Sequence, residues 1–256
     1  MQRYACLVFA GAAFAAGFDH SLWDRVLKKS VNAIGEVDYA TVKKDRGDLD
    51  AYIARLTEAS PDNRKDQFPS RAHELAYWLN AYNALVMKGV VDAWPTKSVR
   101  DLGALYGFFR RKDYTLGGQK VSLQDLENKI IRKRYNEPRI HFAIVCASIS
   151  CPLLARDAFT AQNLETQLDA LTRQSVAERR IVFVEPERNR ITLSALFKWY
   201  GADYGDVLAF IRKHASPPLK QQIESLKNPR IQYYDYDWSI NDPGSRARAK
   251  EPHERL

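Results

Sequence analysis

Cysteine is scarce in this chain, with three residues in 256. Cys146 and Cys151 form a C-x4-C pair, which is not a usual zinc spacing, and no second Cys or His pair accompanies it, so no metal site is expected. No long segment between Phe18 and Asp242 is rich in Gly or Ser. Without such a linker there is no natural point of division, and residues 18–242 are read as a single domain. Internal repeats and low-complexity tracts are absent as well. No nucleic-acid motif accompanies the basic residues, so no specific nucleic-acid partner is expected. No cofactor is expected either.

What remains is a globular composition, 45% hydrophobic and 27% charged. Lys and Arg exceed Asp and Glu by 39 to 31, a formal +8, which attracts anionic polymers such as acidic envelope material. The excess is scattered over Arg110 to Lys112, Arg132 to Arg134, Arg179 and Arg180, and a basic tail over 243–256 read as flexible. The opening "MQRYACLVFAGAAFAAG" has one basic residue, an apolar run, and small residues ending in Ala13-Phe14-Ala15. That is the pattern of a secretory signal peptide, assigned to residues 1–17. The run is shorter than the roughly 20 residues of a spanning helix, so no membrane span is expected and the protein is placed in the periplasm or outside the cell. Cleavage removes Cys6 and leaves Cys146 and Cys151.

Apolar periodicity predicts helices over "DHSLWDRVLKKSV" and "LDAYIARLTEAS". Ser70 caps a long segment that is apolar on most of its circumference and ends at Pro95, a buried central helix. "YTLGGQKVSL" is a hairpin about Gly117-Gly118, and Ser122 with Asp125 opens the next helix. "RIHFAIVC" has the length and apolarity of a strand buried on both faces. A capped amphipathic helix from Thr160, a second hairpin in "RIVFVEPERNRITLS" and a late strand in "RIQYYDYDW" complete the order. Helices first and strands later indicate α+β, with the long central helix packed on a mainly antiparallel sheet.

Chemistry concentrates in "HFAIVCASISCP", residues 141–152. On a straight strand His141 and Cys146 point to opposite faces, so they do not pair there. "ASIS" turns the chain, and Pro152 suggests a helix-like first turn with Cys151 near its N-cap, where backbone N–H groups favour the thiolate. A Cys146–Cys151 disulfide is the alternative, since four intervening residues allow the closure. Asn80 and Asn83 share one face of the apolar helix; they either orient a histidine or stabilise an oxyanion, or else bond backbone in the core. Glu127, beside Asn128, is a candidate to hold His141 by its second nitrogen. His73, His214 and His253 are read as surface residues, and His20 as the same or as part of the mature N-terminus.

"VDYATVKKDRGDLDAYIARL", "AYWLNAYNALVMKGVV", "YTLGGQKVSLQDLENKIIR", "PRIHFAIVCASISCPLL" and "YDYDWSIND", in that order, resemble the bacterial, plant and nematode family called domain of unknown function 547. The family pattern is matched by Asn80, Asn83, Glu127, Asn128, His141, Cys146 and Cys151, and implies no settled activity. A buried helix followed by a segment beginning with His is also similar to papain-like and transglutaminase-like folds, in which the helix supplies a Cys. Here the helix has none, so either the nucleophile lies in the 146–151 turn or the fold is a non-catalytic relative.

Two functions stay open. One is a thiol-dependent hydrolase or transferase acting on an amide or peptide bond, with Cys151 as nucleophile, His141 as base, and Asn80, Asn83 and Glu127 orienting the base or stabilising the oxyanion. The other is a non-catalytic envelope module that binds a peptide or anionic ligand, with Cys146 and Cys151 oxidised. Export predicts that N-terminal sequencing of the mature protein starts close to Phe18; a mature chain that retains Cys6 would rule out cleavage.

Overall fold

The computed structural model describes residues 17–103 and 107–248. The expected signal peptide, but for Gly17, lies outside the described residues, as do Cys6, His253 and the end of the basic tail. Three helices come first: α1 (Ser21–Ser30), α2 (Tyr39–Lys44) and α3 (Gly47–Glu58). Leu22, Trp23, Val26 and Leu27 recur at helical spacing on α1 and are buried, α1 packs on α3, and Trp23 stacks on Tyr52 of α3. The long helix α4 (Arg71–Ala93) begins where Ser70 accepts a hydrogen bond from the His73 N–H, and it is buried from Leu75 to Val91 on most of its surface.

A short α5 (Gly107–Arg110) precedes the hairpin of β1 (Asp113–Leu116) and β2 (Gln119–Ser122). Gly117 and Gly118 turn it with φ of 53° and 79°, and their N–H groups bond the carbonyls of Leu56 and Thr57 at the end of α3. Gly89 lets α4 meet this region closely, because a Cβ there would stand 2.2 Å from the Phe108 ring and 2.8 Å from the Tyr114 hydroxyl.

The next helix starts at Ser122, whose hydroxyl accepts from the Asp125 N–H, as expected. It runs through α6 (Leu123–Asp125), a π-helical stretch Leu126–Arg132 and α7 (Lys133–Tyr135). Then come a 3-10 turn Pro138–Phe142, α8 (Leu164–Val176), and the hairpin of β3 (Val182–Glu185) and β4 (Arg190–Leu193). After α9 (Ala195–Trp199), α10 (Gly201–Tyr204), α11 (Val207–His214) and α12 (Pro217–Glu224), β5 (Arg230–Tyr233) joins β4 in parallel. The chain is α+β, with one two-stranded antiparallel sheet and one three-stranded mixed sheet. A last short helix, α13 (Ser245–Arg248), follows; its Ser245 is buried and the Arg246 N–H bonds Glu36, so the start of the basic tail is docked.

The strand expected over "RIHFAIVC" is not there. Pro138 fixes φ at the start of a 3-10 turn, Glu137 accepts from the Arg139 N–H, and irregular backbone follows to Cys151. A near-continuous apolar run reports burial without fixing the backbone, and here a side chain satisfies the backbone in place of a neighbouring strand. Asn83 donates to the Ala143 carbonyl at 2.8 Å and accepts from the Val145 N–H at 2.9 Å. Asn80 does the same for both backbone groups of Phe159, at 2.8 and 2.9 Å. Both asparagines are therefore backbone fasteners, and neither bonds His141 or the 146–151 turn.

The 138–145 segment also lies at the seam of two apolar clusters. Ile140 and Ala143 belong to the one around α4, whereas Phe142 belongs to the one built by the mixed sheet and α11.

Replacing Asn80 by Leu strands the N–H and C=O of Phe159, and urea unfolding should register a loss of about 2–5 kcal/mol. Alkylation of Cys151 in the folded fraction should be unchanged. Slowed alkylation at an unaltered unfolding midpoint would return Asn80 to the site.

Candidate functional site

A cavity of about 230 Å³ is lined by Cys146, Cys151, His141, Glu127, Tyr236 and Trp199, among others. A larger hollow of about 710 Å³ is walled by Phe18, His20, His73 and Asn163 and contains no cysteine.

The cysteine turn is held from the C-terminal side. Ile149 and Asn241 donate backbone hydrogen bonds to Ser239 and Ala147, and Ser148 pairs with Ile240 in an isolated antiparallel bridge. Ala147 has a φ of +64°, a left-handed conformation that is unusual and strained for a non-glycine residue. Cys151 does not sit on a helix N-terminus. Its sulfur instead accepts the Cys146 N–H at 2.9 Å and the Tyr236 hydroxyl at 3.1 Å. Cys146 Sγ lies 3.2 Å from the same hydroxyl and 3.0 Å from Ser148 Oγ. Both cysteines are free thiols.

Burial by itself raises a thiol pKa. At Cys151 the hydrogen bonds from Cys146 and Tyr236 overcome burial and hold the thiol below its ordinary value, whereas burial and the neighbouring Cys151 push Cys146 well above. One sulfur of the pair is thus poised as thiolate and the other as thiol.

Glu127 and Asn128 lie on the π-helical stretch, a backbone irregularity often found at functional sites. Glu127 accepts from the Tyr82 hydroxyl at 3.3 Å, and the Tyr200 hydroxyl lies near it. Burial raises its pKa against the pull of those two hydroxyls and of Arg132, which favours a protonated carboxyl. It does not hold His141. Asp203 does, with Oδ2 2.8 Å from Nε2. Asp203 is in turn gripped by Arg132 at 2.7 and 2.8 Å, a bidentate pair that keeps the carboxylate below its usual range. A carboxylate there fixes the Nε2–H tautomer and leaves Nδ1 as the imidazole's acceptor. Burial carries His141 down to about 4 even though Asp203 opposes it, so the ring is neutral at pH 7. Tyr200 stacks on it at 4.1 Å, and the Arg132 guanidinium lies 4.8 Å from the Tyr200 ring centre.

The sequence profile of the family described as protein of unknown function, DUF547, matches residues 66–175. That segment belongs to DUF547. No curated protein and no solved structure matches the chain.

The DUF547 segment contains every site residue proposed from the sequence, and the fold gathers Cys146, Cys151, His141, Glu127 and Asn128 at one cavity while placing Asn80 and Asn83 outside its wall. No hydrogen bond joins His141 to either cysteine among the described residues. Tyr200, Asp203 and Tyr236 complete the site from beyond the matched segment. Tyr236 lies in the "YDYDW" block that carried the resemblance, and an aromatic spacing there was its only signal. Asp203 sits in "YGADYGD" and looks like a surface acid. Of the other histidines, His214 is buried, against expectation, and His20 bonds the Tyr52 hydroxyl at 2.7 Å. Among the described residues no cluster of three or more His, Cys, Asp or Glu is placed to hold a metal ion.

The buried neutral histidine gives a signed pH dependence. Between about 4 and its ordinary 6.5, the unfolded chain carries a proton on His141 that the folded chain lacks, so stability falls as pH drops through this window. Unfolding by urea at pH 5 should show about 2 kcal/mol less stability than at pH 7 from this residue. His141→Gln should remove that share of the difference. An unchanged pH dependence in the variant would mean that the imidazole is not held neutral.

Proposed function

We propose that this protein is an exported thiol-dependent hydrolase or transferase acting on an amide or peptide bond, with Cys151 as nucleophile. The observation that carries the proposal is the sulfur of Cys151 in a cavity wall, accepting hydrogen bonds from the Cys146 N–H and the Tyr236 hydroxyl. Such donors stabilise the thiolate, which is the attacking species.

In this scheme the Cys151 thiolate adds to the carbonyl carbon, and Glu127, when it carries a proton, gives it to the leaving nitrogen as the C–N bond breaks. A thioester on Cys151 and a free amine result. Water, or an acceptor amine in a transferase, then adds to the thioester while the Glu127 carboxylate takes its proton. Collapse expels the Cys151 thiolate and restores both groups. His141, assigned as base from the sequence, becomes a positioning residue: with Asp203 and Arg132 it fixes the Tyr200 ring, whose hydroxyl lies near Glu127.

A second function draws on the Tyr236 hydroxyl that lies within hydrogen-bond reach of both sulfurs. Oxidation of Cys146 and Cys151 to a disulfide would leave a non-catalytic envelope module that binds a peptide or anionic ligand. Intact mass separates the two, since the oxidised protein lacks two hydrogens and resists alkylation until reduced.

Iodoacetamide at pH 7 should alkylate Cys151 faster than a free model thiol, and Cys151→Ser should abolish this reaction and any acyl-enzyme. Glu127→Gln should slow turnover of an activated amide by roughly 100-fold, and His141→Ala by less. Alkylation of Cys151 no faster than the model thiol would overturn the proposal.

A further inference from the structure

The cavity beside Cys151 is walled mainly by rings: Tyr82, Phe109, Tyr200, Tyr236, Trp199 and Trp238. At about 230 Å³ it is smaller than the pockets that enclose drug-sized ligands, and its capacity is that of one residue-sized group.

Its polar wall is mostly committed. Glu127 accepts from the Tyr82 hydroxyl, Asn128 donates to the Gln124 carbonyl and accepts from Arg132, His141 is bound to Asp203, and the two thiols share Tyr236. A polyhydroxylated ring entering this space would exchange water for walls that offer few free partners, at a cost for each hydroxyl left unpaired. An apolar body meets no such cost.

Among the described residues, Gln124 and Arg110 are polar side chains of the wall that form no hydrogen bond or ion pair. Arg110 is exposed at the end of α5 and stands in the run Arg110 to Lys112, whose lysine is taken by Asp92. A guanidinium without a carboxylate partner, at the edge of an apolar cavity in a chain with formal charge +8, offers a bidentate site for an anion.

We propose that the group accepted beside Cys151 is a residue-sized aromatic or branched aliphatic one whose carboxylate pairs with Arg110: the substrate class is a carboxylate-bearing acyl amino acid or the apolar residue of an acidic peptide. The position of this group relative to a reacting bond rests on the thiol function above, but its recognition does not.

Binding is therefore measured on Cys151→Ser, which carries out no acyl transfer. Fluorescence of Trp199, at 47% exposure in the cavity wall, reports occupancy. The probes are N-acetylphenylalanine, its uncharged amide, and N-acetylglucosamine. N-acetylphenylalanine should bind roughly two- to fivefold tighter than the amide, the upper part of the range for an exposed ion pair. Arg110→Ala should bring the two to equal affinity while leaving the amide's own affinity unchanged. Equal binding of acid and amide before that substitution, tighter binding of the sugar than of either, or no binding of the acid would each overturn the proposal. A failure of Cys151 alkylation with the acid preference intact would overturn the catalytic function alone.

Discussion

The side-chain amide of Asn83 is the contact on which the site depends. It supplies one donor and one acceptor to the backbone of Ala143 and Val145, and so performs for a single turn of irregular chain what a neighbouring strand does for a sheet. Because α4 is buried along most of its length, Asn83 has little freedom, and the backbone it grips is fixed with it. Cys146 follows immediately, and its N–H reaches the Cys151 sulfur. Without a partner for those two backbone groups the segment would have to form a strand or solvate itself, and the cysteine turn would lose its origin.

The aromatic and charged residues opposite are arranged by a second, electrostatic chain. Arg132 holds Asp203, Asp203 holds His141, and His141 and Arg132 both contact the ring of Tyr200. Asp203 is paired with both Arg132 and His141 Nε2, which lowers the desolvation cost of these three groups. The π-helical stretch contributes Asn128, Glu127 and Arg132 to this arrangement, with Asn128 and Arg132 bonded to each other.

Much of this was legible in the sequence where local rules suffice. Ser70, Gly117-Gly118 and Ser122 mark their helix start, hairpin and cap through short-range hydrogen bonding that few alternatives satisfy. "RIHFAIVC" was misread because burial on all sides and burial within a sheet leave the same apolar pattern. The Asn80 and Asn83 pair was rightly seen as needing partners, but whether an amide serves backbone or a catalytic ring depends on tertiary placement. Glu127, His141, Cys146 and Cys151 were gathered by residue type and resemblance. Asp203 and Arg132 were not, since a surface-looking acid and a base in "RKR" become a buried-histidine clamp only once α10 docks on the π-helical stretch.

The strap from Tyr236 to Asn241 gives the fold a boundary that sequence similarity does not mark. The DUF547 match ends at residue 175, yet the cysteine turn takes its pairing partners from Ser239, Ile240 and Asn241, and the Cys151 sulfur takes a hydroxyl from Tyr236. The unit that is recognisable among relatives is therefore shorter than the unit that can assemble the site. During synthesis the two thiols emerge well before the residues that hold them, and remain unarranged until residues 236–241 arrive and close the turn.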